Sequence, residues 1–240
     1  MNVAFFLEDT TIGSRSRLAM AQADALTARG HRARIVTKGA PVTWRSSRAE
    51  WIYVEDFRHY DAKDDIVVDG AMPLLLVDDD FYRDATPREH EPLRVLLCGP
   101  SHEEQRAIFD GYGAVAHARW FHQTLELVRV SPWAPSRDEP LESVQEFHVA
   151  LTTAEMSRLL HTCDILVAPR FTLSAAEAMA AGLACVPAGG TAVELGERLI
   201  EVLSDYDLRE RLREEGRAAA AKWRREAVTD RLEELLATPR

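Results

Sequence analysis

The chain has 240 residues, 46% of them hydrophobic and 28% charged, which is ample material for the core of one large or two small domains and excludes global disorder. Its formal charge is −10, from 29 bases against 39 acids, and twelve of those acids against only four bases fall between residues 50 and 90. Such a surface repels a phosphate backbone and no basic patch offsets it, so nucleic-acid binding is excluded.

Val3 to Leu7 is a short apolar run of the kind a parallel strand buried on both faces requires. A polar loop from Glu8 to Gly13 follows. Ser14 or Ser16 can cap the next helix, in which Leu18, Ala21, Ala25 and Leu26 recur at helical spacing, and Gly30 supplies a left-handed stop. Residues 33–37 then form a second strand, which completes a βαβ unit and predicts a parallel α/β sheet. Further short strands are expected at Trp51 to Val54, Ile66 to Val68 and Leu74 to Val77, with connections too short for full crossover helices. The polar, proline-punctuated stretch Pro87 to Pro92 reads as a linker.

Beyond it come a strand at Arg94 to Cys98, a Gly99-Pro100-Ser101 turn and a helical stretch from about Glu103 to Thr124. Strands at Leu125 to Val130 and Glu146 to Leu151 follow. Thr152-x-x-Glu155 has the spacing of a capping box, and so has Ser174-x-x-Glu177 at the start of a helix ending at Ala181. Asp164 to Ala168 and Ala184 to Pro187 read as strands, Gly189-Gly190-Thr191 opens a helix, and the chain is almost wholly helical from Tyr206. No run approaches the roughly 18 apolar residues of a membrane helix, and the N-terminus lacks a basic secretory leader, so a cytoplasmic location is expected. Cys98, Cys163 and Cys185 lie far apart in apolar surroundings, which argues against structural zinc or a disulfide framework and for buried thiols.

The segment EMSRLLHTCDILVAPRFTLSAAEAMAAGLACVP, Glu155 to Pro187, resembles the donor-domain signature of retaining GT-B glycosyltransferases of the family 4 type, in which a helix bearing E-A-M-A-x-G leads to a strand ending near proline. The N-terminal strand, loop and helix closing in Ala28-Arg29-Gly30-His31 are similar to the start of the acceptor domain in that superfamily. Leu93 to Ser136, with its phrase Leu127 to Pro132, resembles a bacterial branch of it. The resemblance covers most of the chain. It implies two Rossmann-like parallel-sheet domains, an abbreviated acceptor-like one at 1–92 and a donor-binding one at 93–240 with terminal helices, the last of which can cross back.

The implied activity is transfer of a hexose from a nucleoside diphosphate sugar to a small-molecule or cell-envelope acceptor with retention. The donor is a substrate, no other cofactor and no metal is called for, and a homodimer is compatible with this reading. Gly99, Arg106, Gly190 and Thr191 would hold the diphosphate and Glu177 the ribose hydroxyls. Backbone amides at glycine turns and helix starts, with a nearby guanidinium, are suited to a diphosphate. Glu177 is equally accounted for as the third residue of a capping box. No catalytic base is assigned. Two departures stand beside the matches. The family's pair of glutamates has seven residues between them, and counting back from Glu177 reaches Pro169; at the phosphate-binding lysine stands Arg106.

These departures support an alternative, a catalytically degenerate GT-B-like binding or scaffold subunit. A third reading, a metal-dependent GT-A-like transferase, rests on Asp78-Asp79-Asp80, whose spacing can hold a divalent cation against a diphosphate; a solvated acidic cluster is the simpler account. His31 reads as the entry to the second strand, His148 as packed or solvated, and Trp120, Phe121 and Trp133 as core or interface.

Overall fold

The computed structural model describes residues 1–8, 14–38, 47–83, 89–100, 105–168, 170–187 and 189–238. By its contacts the chain divides into Met1–Asp79 with Lys222–Arg240, and Asp80–Ala221. The sequence reading drew this line at 92. Residues 89–94 are tied into the second unit by polar contacts: the buried Asp164 carboxylate accepts from the amide of His90 at 3.1 Å and of Arg94 at 2.8 Å, and Arg209 donates to Glu89 at 2.7 Å.

In the first unit β1 (Asn2–Leu7), β2 (Arg32–Lys38), β3 (Glu50–Val54) and β4 (Ile66–Asp69) form a parallel sheet in the order β3-β2-β1-β4. The helix α1 (Ser14–Ala28) packs on it and ends where expected: Gly30 has φ +83°, and the His31 amide reaches back to the Leu26 carbonyl at 3.0 Å. The final helix of the chain, Arg225–Ala237, does return to this unit, placing Leu232 and Leu236 in one cluster with Val3, Phe5 and Leu26.

Leu74 to Val77 is not a strand. The fully buried Gln22 of α1 takes the place of a ladder partner, donating to the carbonyls of Met72 at 3.0 Å and Leu74 at 2.8 Å and accepting from the Met72 amide at 2.8 Å, while the Val77 amide bonds the Trp223 carbonyl. With those groups satisfied, Leu76 and Val77 bury their side chains without joining the sheet.

The second unit has a parallel sheet of five strands, β5 (Arg94–Cys98), β6 (Glu126–Ser131), β7 (Glu146–Val149), β8 (Ile165–Val167) and β9 (Ala184–Val186), in the order β7-β6-β5-β8-β9. Around it lie α2 (Gln105–Arg119), α3 (Thr153–Leu160), α4 (Leu173–Ala181), α5 (Ala192–Ser204) and α6 (Tyr206–Ala220). Leu97, Leu127, Ile165 and Val186 meet Ile108 and Val115 of α2 and Leu195 and Leu199 of α5 in one core. Small residues let the layers approach. A Cβ on Gly111 would stand 2.5 Å from a Leu97 methyl, and one on Gly196 of α5 would stand 2.9 Å from the His117 ring of α2. The box at Thr152 and Glu155 forms as its spacing predicts.

Candidate functional site

The central strands of the second sheet are short and largely apolar because both their faces are covered, while the edge strand β7 is polar and partly exposed, so ligand chemistry falls to the loops at strand ends. The chain leaves β5 through α2 towards β6 on one side, and leaves the adjacent β8 through α4 towards β9 on the other. Where neighbouring strands send their connections in opposite directions, a crevice opens at their carboxyl ends, and this is the usual ligand position in an open α/β sheet.

Gly99 directly follows β5. Its φ of +140° is one that side chains rarely adopt, and its amide bonds the Val130 carbonyl of β6 at 3.1 Å. Ser101 of the same turn lies outside the described residues. Arg106 stands in the first turn of α2, exposed to solvent. Glu177 is carried by α4, which follows β8, and Gly190 and Thr191 follow β9. All five residues expected to bind ligand are thus carried by elements that leave the carboxyl ends of β5, β8 and β9. These three adjacent strands span about 10 Å at the usual spacing.

The local account of Glu177 differs from the one its sequence suggests. Thr172, not Ser174, is the N-cap of α4, with extended dihedrals and no side-chain cap bond. Ser174 is therefore the second helical residue and Glu177 the fifth, too far along to form a capping box, and Glu177 is only 2% exposed. A cap role no longer explains this carboxylate. Pro169, where the family's first glutamate would stand, lies outside the described residues.

Two residues of α5 that sequence reasoning missed, Glu194 and Arg198, reach the turn after β9. Gly189 and Gly190 both have φ +93°, and Thr191 is the N-cap of α5. Glu194 completes a capping box there: its carboxylate accepts from the Thr191 amide at 2.8 Å and from the Thr191 hydroxyl at 3.1 Å. These bonds hold the Glu194 carboxyl below its usual range, the backbone bond first. One turn on, Arg198 donates to the Gly189 carbonyl. A Cβ on Gly190 would lie 2.8 Å from the Glu194 carboxylate and 2.9 Å from the Arg198 guanidinium, so both charged groups reach the turn because glycine stands there. The signal for Glu194 was legible, since Thr191-x-x-Glu194 repeats the spacing of Thr152-x-x-Glu155.

The remaining candidates have other partners. Asp78 and Asp79 lie 3.5 and 3.3 Å from the Arg225 guanidinium, and Asp80 lies 3.0 Å from that of Arg83. Among the described residues no group of three or more His, Cys, Asp or Glu could hold a metal ion. His31 meets Glu233 at 2.7 Å and His148 meets Glu146 at 3.1 Å. Trp120 and Phe121 are 83% and 66% exposed, so neither is core. Both precede β6, at the amino edge of the sheet and away from the glycine turns. No described helix is long and apolar enough to cross a membrane.

No family model matches the chain, and no curated protein matches it. Solved structures do. WaaG, a glycosyltransferase involved in lipopolysaccharide biosynthesis, superposes with a TM-score of 0.64 at 15% identity over 99% of this chain and 100% of that one. The sucrose-phosphate synthase of Thermosynechococcus elongatus gives 0.63 at 13% identity over 98% of each chain. The glycosyltransferase SnogD of Streptomyces nogalater gives 0.58 at 12% identity over 99% of this chain and 100% of that one. The fold is GT-B. In a GT-B chain the two parallel sheets are separate Rossmann-like units, as they are here, and the expected fold class holds.

Proposed function

We propose that this GT-B chain is a glycosyltransferase that moves a hexose from a nucleoside diphosphate sugar to a small-molecule or cell-envelope acceptor with retention. The observation that carries the reading is the β5, β8 and β9 rim, where a positive-φ glycine, a buried glutamate and a double-glycine helix start stand on adjacent strand ends. Gly190 presents its backbone amide to the diphosphate, Thr191 presents its own once the Glu194 carboxylate gives way, Gly99 shapes the neighbouring turn while its amide stays on the Val130 carbonyl, and Arg106 adds positive charge from the first turn of α2. Glu177 accepts the ribose hydroxyls. The E-A-M-A-x-G phrase supports retention through its likeness to retaining members, and the WaaG neighbour supports an envelope acceptor. Positioned amides that meet the charge developing on the departing diphosphate supply the transition-state stabilisation.

The reading predicts that one of UDP, GDP, ADP or dTDP raises the melting temperature without Mn²⁺. A ligand at one hundred times its dissociation constant stabilises by about 2.7 kcal/mol, enough to read in a thermal melt. No shift with any of the four removes the nucleotide site. The second reading, a degenerate subunit that binds without turnover, is favoured by Pro169 standing where the family has glutamate; binding without transfer or hydrolysis would select it. Against the metal-dependent GT-A reading stand the two separate sheets and the arginine partners of Asp78 to Asp80.

A further inference from the structure

A strand buried on both faces should be apolar throughout, yet Arg129 stands in the middle of β6 with none of its surface exposed. Its Nε donates to the Glu139 carboxylate at 2.7 Å, and both side chains are fully buried. The same carboxylate accepts from the Tyr112 hydroxyl of α2 at 2.9 Å and from the Ser136 amide at 3.2 Å, in the loop that follows β6. The other arm of the guanidinium reaches back to the sheet, where Nη1 donates to the carbonyls of Leu97, at 3.4 Å, and Val130. Val130 is also the acceptor of the Gly99 amide. Three segments at the carboxyl ends of β5 and β6 therefore converge on one ion pair: the Gly99 turn, the helix whose first turn carries Arg106, and residues 132–140.

A buried ion pair is a poor way to gain stability, because desolvation offsets most of the attraction and apolar replacements of similar volume are often as stable or more so. What such a pair provides is directed geometry. Here its donors and acceptors are directed at the backbone beneath the glycine turn and at the helix next to it. We propose that Arg129 and Glu139 are positioning residues of the nucleotide site, fixing the Gly99 turn through the shared Val130 carbonyl and α2 through Tyr112, so that both stand where a diphosphate at the strand ends needs them. This inference rests on the function proposed above. Burial, followed by the charge of Glu139, pushes the Tyr112 phenol well above its ordinary range, so it remains a donor to the carboxylate at any physiological pH.

The decisive variant removes the polar network without leaving a charge behind. Y112F/R129M/E139L should melt close to the wild-type temperature yet bind the nucleotide, whichever of UDP, GDP, ADP or dTDP the wild type takes, at least tenfold more weakly in calorimetric titration. Equal affinity in the folded triple variant overturns the proposal and leaves the pair a structural element. Should the triple variant not fold, R129K keeps a charge for Glu139 but loses the forked reach to Leu97 and Val130. A tenfold loss of affinity is expected there too, and unchanged affinity overturns the proposal. If the wild type binds none of the four nucleotides, the proposed function falls, and positioning is read from the Gly99 amide alone. Its hydrogen exchange should be at least tenfold faster in either variant, and unchanged exchange overturns the inference.

Discussion

Glu194 holds the Thr191 amide at 2.8 Å and the Thr191 hydroxyl at 3.1 Å, so a carboxylate of the chain itself occupies donors at the start of α5 that the proposed diphosphate would use. A helix start satisfied in this way is stable and less attractive to a second anion, because the internal charge both fills the donors and repels what approaches. Ligand binding at this turn requires the carboxylate to swing away or the phosphate to use only the amides of the glycines.

Replacing Glu194 with alanine separates these effects. The variant should melt at a lower temperature, having lost its cap partner, and should bind the nucleoside diphosphate severalfold more tightly in titration calorimetry. Unchanged or weaker binding would take Thr191 out of the site.

Arg106 and Arg198 are rival cations for the same ligand. Arg106→Ala should weaken binding by about 1.5 to 3 kcal/mol, the range for a hydrogen bond to a charged group, with no change in fold because the side chain is exposed. If affinity stays constant in Arg106→Ala and drops in Arg198→Ala, the guanidinium at Gly189 is the one that meets the phosphates.

For Glu177 the informative change is to glutamine, which keeps the shape and removes the charge. Nucleotide-sugar affinity should fall by more than tenfold in a ligand titration. Ser174→Ala, at a position that does not cap α4, should leave affinity unaltered. Equal losses in both variants would mean that the first two turns of α4 matter only as a packed unit.

Most parallel strands of the second sheet were legible because burial on both faces favours apolar runs, which β5, β8 and β9 have and which in β6 only Arg129 interrupts. The E-A-M-A-x-G phrase led to α4 and to Glu177. Sequence spacing failed where one buried side chain decided the local structure. Nothing in Leu74 to Val77 reveals that Gln22, about fifty residues earlier, satisfies the neighbouring backbone and keeps the segment out of the sheet. The cap of α4 was misplaced because Ser174 and Glu177 have the right spacing, while the chain starts the helix one residue before Ser174. The division by contacts falls before the expected linker for a related reason: the groups that tie residues 89–94 into the second unit are Asp164 and Arg209, far away in sequence.

Cys163 gives the chain a measurable alkaline limit. Burial pushes its thiol from the usual 9 up to about 12, opposed by the nearby Arg94 charge. In the folded state the proton is therefore retained through a range in which the unfolded chain releases it. The contribution to stability is complete below about pH 9 and is lost as pH rises towards 12, at up to about 1.4 kcal/mol per pH unit for this one group. Cys185, pushed up to about 12 by burial as well, acts in the same window and with the same sign. Urea unfolding between pH 8 and 11 should accordingly show a falling free energy. Cys163→Ala should start lower, because a buried side chain has been trimmed, and should fall less steeply. Parallel curves for wild type and variant would show that the Cys163 thiol ionises as readily in the folded chain as in the unfolded one, and that its burial in this fold does not govern its proton.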